Sequence, residues 1–218
     1  MTVSFIELNI IISINYLKCG RMYIVLEGID GAGKSTQIEL LKEWLISNGF
    51  QVETVSEPTN SDIGQLIRKF LQDEYATSDY MQKTLGLLFA ADRVLLMNKI
   101  NKLQEENKII LSDRSFYSSL AYQDPVDWIA ELNKYAKIPD LVFLLDLDLK
   151  TSVTRSGETD EFENEEFLSC VKENYLELAK RNDNFKIIDG NKGPNMVAKD
   201  IKNEVAPLLG ICKSSIIK

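Results

Sequence analysis

Residues 23–37 read YIVLEGIDGAGKSTQ, an apolar run that breaks into glycines and resumes as a helix-forming stretch. The spacing Gly28-x-x-x-x-Gly33-Lys34-Ser35 fits G-x-x-x-x-G-K-[ST] and stands between a strand and a helix, where its physics requires it. Glycines let successive backbone N–H groups curl around a phosphate, and the first turn of the next helix adds its partial positive charge. Gly28, Ile29, Asp30, Gly31, Ala32, Gly33, Lys34, Ser35 and Thr36 are therefore the expected cradle of a nucleoside triphosphate. Lys34, read as an exposed loop lysine, reaches the β- and γ-phosphates, and the Ser35 hydroxyl is placed to ligate Mg2+. A carboxylate is electrostatically unwelcome in such a loop. Asp30 either faces a sugar hydroxyl or a metal-bound water, or only braces the turn through its own backbone.

Around this loop the chain alternates short apolar strands with longer helical patterns, the signature of βαβ units and a parallel sheet. Strands are expected at Tyr23–Glu27, Gln51–Val55, Lys108–Ser112, Leu141–Asp146 and Phe185–Ile188. Lys34–Ser47 has helical spacing and ends at Asn48-Gly49, and Asp79–Glu105 reads as one or two long helices. The expected fold is α/β, a five-stranded parallel sheet flanked by helices as in P-loop NTP hydrolases and kinases, in a single domain over residues 22–218. Residues 1–21 have no cap, turn chemistry or amphipathic period. They are read as an N-terminal extension arising from a misassigned start, with Met22 as the initiator.

The balance of 33 acids and 25 bases in 218 residues gives a net charge of -8, which disfavours non-specific binding to nucleic acid or an anionic membrane. Histidine is absent, so a Ser-His-Asp triad, a histidine base and histidine-ligated zinc are excluded together. Cys19, Cys170 and Cys212 are scattered with no C-x-x-C pair, which suits a reducing cytoplasm. The acidic run Glu158–Glu166 reads as a solvated helix start.

A phosphate-binding loop alone leaves a GTPase, a motor ATPase and a small-molecule kinase open. The Asn-Lys pairs at 101, 133 and 191 do not continue as N-K-x-D, so guanine lacks its usual reader. A kinase acting on a second phosphorylated substrate needs further arginines to hold two anions together, and Arg68, Arg93 and Arg114 are candidates.

From Met22 nearly to the C-terminus the chain resembles the thymidylate kinases, a branch of the P-loop nucleoside monophosphate kinases. The resemblance is carried by Leu26–Gln37, Glu57-Pro58 with Ile67-Arg68, Leu88–Arg93, Ser112–Gln123, Pro139-Asp140, Phe162-Glu163 and Ile188–Gly190. It implies transfer of the γ-phosphoryl group of MgATP to dTMP by a cytoplasmic homodimer, with another deoxynucleoside monophosphate or a switch without a second substrate as alternatives. It also implies that Phe89 stacks on the thymine and that Arg93 donates to it, with Ser119 and Gln123 as polar contacts near the base. Arg68 and Arg114 would fork the 5′-phosphate, Asp30 would take the sugar 3′-hydroxyl, and Pro58 would pack beside the nucleotide. The Tyr122 ring would exclude a ribose 2′-hydroxyl, and Asp113 would organise Mg2+ together with Ser35. Where many members have Tyr after the Asp-Arg pair, this chain has Ser115, and Gly31 stands where one subclass carries an arginine. The transition-state cation is then expected from a short lid around 150–162, in which Arg155 is the candidate, aided by Lys150.

Overall fold

The computed structural model describes residues 21–156 and 165–212, with the backbone alone at 153–156. The expectations for residues 1–20, for the lid beyond Ser156, for Phe162-Glu163 and for most of the acidic run lie outside the described residues.

Five strands form one sheet: β1 (Tyr23–Glu27), β2 (Val52–Ser56), β3 (Ile109–Asp113), β4 (Leu141–Asp146) and β5 (Phe185–Asp189). They are parallel and lie in the order β2-β3-β1-β4-β5. Register places Tyr23 opposite Ile110 and Ile24 opposite Leu141. The expected boundaries hold for β1 and β4. β2 and β3 run one residue later than expected at both ends, which puts Asp113 inside the ladder, opposite Leu26.

β1 is buried at every position because both faces of the sheet are covered. Ile24, Leu26, Leu111 and Phe143 face α1 (Lys34–Ser47) and α8 (Pro194–Leu208), packing with Leu41, Leu45, Ile201 and Val205. Their neighbours along the strands, Tyr23, Val25, Ile110, Val142 and Leu144, form a second core on the other face. This core takes Leu96 and Ile100 from α3 (Asp79–Glu105), Tyr117 from α4 (Phe116–Tyr122) and Tyr175 from α7 (Glu165–Arg181). The stretch from Asp79 is thus one helix of 27 residues, capped by Ser78. Between these elements lie α2 (Asp62–Leu71), α5 (Val126–Leu132) and α6 (Leu149–Ser156).

The chain leaves β1 toward β2 on one side and crosses to β4 on the other. The carboxyl end of β1 is therefore a switch point, where a crevice opens beyond the strand ends. No helix among the described residues is long and apolar enough to cross a membrane.

Candidate active site

The glycine loop leaves β1 at that crevice. Gly28 has φ 141°, and a Cβ there would lie 2.8 Å from the Leu145 carbonyl oxygen of β4, so only glycine fits against the neighbouring strand. Gly33, at φ 88°, turns the chain into α1. Lys34 differs from its expectation: it is 7 % exposed, with Nζ donating to the Gly28 and Ile29 carbonyls at 3.1 Å each. The reason is that its position on the first turn of α1 folds the stem back under the loop, where two carbonyl oxygens and Asp30 accept the ammonium. Burial, with Arg114 nearby, lowers its pKa to about 8.

Asp30 stands at the mouth of the loop and forms an ion pair with Arg114. Burial works against its charge, but Arg114 and Lys34 outweigh that effect and hold the carboxyl below the usual range. Arg114 follows Asp113 off the end of β3 and has φ 72°, a left-handed conformation that is strained for an arginine. Its backbone is held there by Leu26, whose carbonyl accepts Arg114 N at 3.0 Å, and by Ser112, whose hydroxyl donates to the Arg114 carbonyl at 2.7 Å. The guanidinium lies 5.2 Å from the centre of the Tyr122 ring.

Two clefts meet here. The larger, about 700 Å3, is lined by residues 30–37 of the loop and α1, by Arg68 and Asp113, and by Gly190, Lys192 and Pro194 after β5. Gly28 and Ile29 are not part of that lining, since their carbonyls serve Lys34 beneath it. The smaller, about 170 Å3, is lined by Leu71, Leu85, Phe89, Arg93, Ser119, Tyr122 and Gln123. Asp30, Glu57, Pro58 and Arg114 line both. Most of the residues expected to contact the second substrate therefore share one wall. Arg68 does not, because its guanidinium donates to the Pro58 and Thr59 carbonyls, at 2.5 and 2.6 Å, and faces the larger cleft.

Arg93 sits beneath the smaller cleft and is 2 % exposed. Its Nε donates to Glu57 at 2.7 Å, Nη2 donates to Ser119 at 3.2 Å, and Nη1 donates to Asn133. Burial raises the Glu57 pKa, opposed by Arg93. Glu57 Oε1 and Gln123 Oε1 are both buried with no hydrogen-bond partner, so two acceptors at this cleft await a donor. Asp92 accepts from Thr59 N at 2.7 Å, Thr59 Oγ1 at 2.6 Å and Ser61 Oγ at 2.7 Å, and ties the Glu57–Ser61 loop to α3.

Ser35 Oγ donates to Asp113 Oδ2 at 2.8 Å, so a hydroxyl and a carboxylate stand together at the loop and the end of β3. Such hard oxygen donors suit Mg2+ shared with phosphate oxygens. No group of three or more Cys, Asp and Glu side chains that could hold a metal ion occurs among the described residues. The Arg155 and Lys150 positions fall on α6; the Arg155 side chain lies outside the described residues.

Sequence reasoning assigned no role to Glu27, Asp92, Asn133 or Tyr175. Glu27 carried a signal as a charge closing a strand otherwise wholly apolar, and Asp92 as a member of the Leu88–Arg93 segment.

The thymidylate kinase family model matches residues 26–201, from the end of β1 into α8. A probable thymidylate kinase of Methanobrevibacter smithii is 65 % identical over 195 residues, covering 89 % of this chain and all of the relative. Probable thymidylate kinases of Methanothermobacter thermautotrophicus and Methanocaldococcus jannaschii are 45 % and 39 % identical, covering 90 % and 85 % of this chain and 100 % and 94 % of the relatives. With the match spanning the glycine loop, the Asp113-Arg114 turn and both clefts, the chain belongs to the thymidylate kinase family.

Proposed function

We propose that this chain transfers the γ-phosphoryl group of ATP, as its Mg2+ complex, to the 5′-phosphate of dTMP, giving dTDP and ADP. The observation that carries this reading is that a phosphate-loop cleft and an aromatic, arginine-floored cleft share Asp30, Glu57, Pro58 and Arg114 at their boundary. A nucleotide switch needs only the first cleft, and a kinase of a second nucleotide needs both.

In this reading the loop amides and Lys34 hold the β- and γ-phosphates. Ser35 and Asp113 would hold Mg2+, which when bound neutralises charge on the phosphate oxygens. Arg114, paired with Asp30, holds the acceptor phosphate, and Arg68, which lines the larger cleft, is our second candidate for it. Phe89 supplies a ring face for the base, and Arg93, Ser119 and Gln123 supply polar groups at its edge. Tyr122 closes the sugar end, and Asp30 reaches the 3′-hydroxyl. Catalysis is positioning and electrostatics, with no covalent intermediate. Arg155 on α6 is our candidate for the cation that arrives as charge builds.

We further place the protein in the cytoplasm as a homodimer built from a single domain. The exposed stripe Leu87, Val94 and Leu95 on α3 supports a subunit contact. The transfer reading is tested by following ADP release from MgATP with and without dTMP. Release that requires dTMP supports it, and equal release without acceptor contradicts it.

A further inference from the structure

Behind the boundary between the clefts lies a polar cluster to which the transfer reading gives no task. Glu27, the last residue of β1, is 0 % exposed. It accepts from Ser115 Oγ at 2.7 Å on one oxygen, and from Ser118 Oγ at 2.7 Å and Tyr175 OH at 2.9 Å on the other. Tyr175 comes from α7 and is 1 % exposed. A carboxylate this deep is poorly justified by stability, because apolar packing serves a core as well without the desolvation cost.

The cluster has a direction. Ser118 Oγ and Tyr175 OH lie 2.9 Å apart and both reach the same Glu27 oxygen, so each hydroxyl's one proton goes to Glu27 or to the other hydroxyl. Toward Arg114, whose nitrogens only donate, both oxygens present lone pairs, and they do so to the same atom. Arg114 Nη1 donates to Ser118 Oγ at 3.1 Å and to Tyr175 OH at 3.3 Å. Glu27 thereby turns two hydroxyls into acceptors aimed at one guanidinium nitrogen, while Asp30 holds the other and Tyr122 lies against the plane.

We propose that Tyr175, its hydroxyl polarised by Glu27, is a positioning residue for Arg114, so that helix α7 sets the orientation of the guanidinium at the acceptor-phosphate site. The proposal rests on the reading of Arg114 as an acceptor-phosphate residue. Tyr175 lines neither cleft, and its hydroxyl reaches the site through Arg114.

The test is a double-mutant cycle on the full chain with Tyr175→Phe, Arg114→Ala and the pair, measuring KM for dTMP, KM for ATP and the melting temperature. Tyr175→Phe should raise KM for dTMP roughly five- to twentyfold while KM for ATP stays within about twofold, and should add nothing in the Arg114→Ala background. An equal factor in both backgrounds overturns the proposal, since Tyr175 would then act without Arg114. So does an unchanged KM for dTMP in Tyr175→Phe beside a large rise in Arg114→Ala. If Arg114→Ala itself leaves KM for dTMP unchanged, the reading of Arg114 falls and takes the proposal with it. Should Tyr175→Phe fail to fold, Ser118→Ala removes the other acceptor facing Nη1. It must then raise KM for dTMP only when Arg114 is present, and any other result overturns the proposal.

Discussion

Arg114, at the end of β3, pairs with Asp30 in the glycine loop, and this ion pair joins the two clefts at the place where donor and acceptor phosphates would meet. The arginine occupies a left-handed backbone conformation held by Leu26 and Ser112, so its backbone is anchored to the sheet. Arg114→Lys keeps the charge but loses the planar fork. We expect kcat/KM for dTMP to fall by about a hundredfold, with the melting temperature little changed. A lysine variant of near-normal activity would show that charge alone suffices.

Lys34 gives a pH dependence with a definite sign. Its pKa is lowered to about 8, so the free enzyme carries the ammonium below that pH and loses it above. We expect kcat/KM for ATP, which reports the free enzyme, to fall as pH rises through that value. For stability the sign is opposite. The unfolded chain binds the extra proton between the folded pKa and that of an ordinary lysine, so this group's contribution to stability increases with pH across that window. A flat kcat/KM profile to pH 10, about two units beyond the folded value, contradicts the assignment.

Tyr122 separates a steric role from a polar one. Its ring packs edge-on against Phe167 and Tyr175 under the Arg114 guanidinium. Tyr122→Ala should shift the ratio of ribonucleotide to deoxyribonucleotide turnover about tenfold toward the ribonucleotide, whereas Tyr122→Phe, which keeps the ring, should leave the ratio unchanged. An unaltered ratio in the alanine variant would make Tyr122 a packing residue only.

Asp92 holds the loop that carries Pro58. Alanine there removes the acceptor of three hydrogen bonds, but the donors are only partly buried and water can replace some of the loss. We expect a destabilisation of about 2 kcal/mol by urea unfolding, together with a higher KM for dTMP. Wild-type stability would mean that the loop stands without its anchor.

Much of this site is written locally. Gly28 to Ser35 form one turn, and their chemistry follows from residue types at fixed spacing. The short apolar runs Tyr23–Glu27 and Leu141–Asp146, set between helical patterns, made those strands legible in the same way. What escaped the sequence depends on contacts between distant segments. Tyr175 looks like any aromatic on the apolar face of α7, and only the fold brings it to Glu27, which lies 148 positions earlier. Lys34 reads as exposed because it follows a glycine-rich loop in sequence, while the carbonyls that bury it become available only once the loop closes. Arg68 shows the same limit: its type fits phosphate, and the backbone carbonyls that engage it are invisible until the loop before α2 is built.

Phosphoryl transfer to a thymidine nucleotide is tested most directly by a panel of all nucleoside monophosphates with MgATP labelled at the γ-phosphate. Separating the products by chromatography should place the label in the β-position of dTDP, with one ADP formed per dTDP and little label in other diphosphates. Label released as inorganic phosphate whatever the acceptor, or transferred preferentially to another monophosphate, would contradict the account.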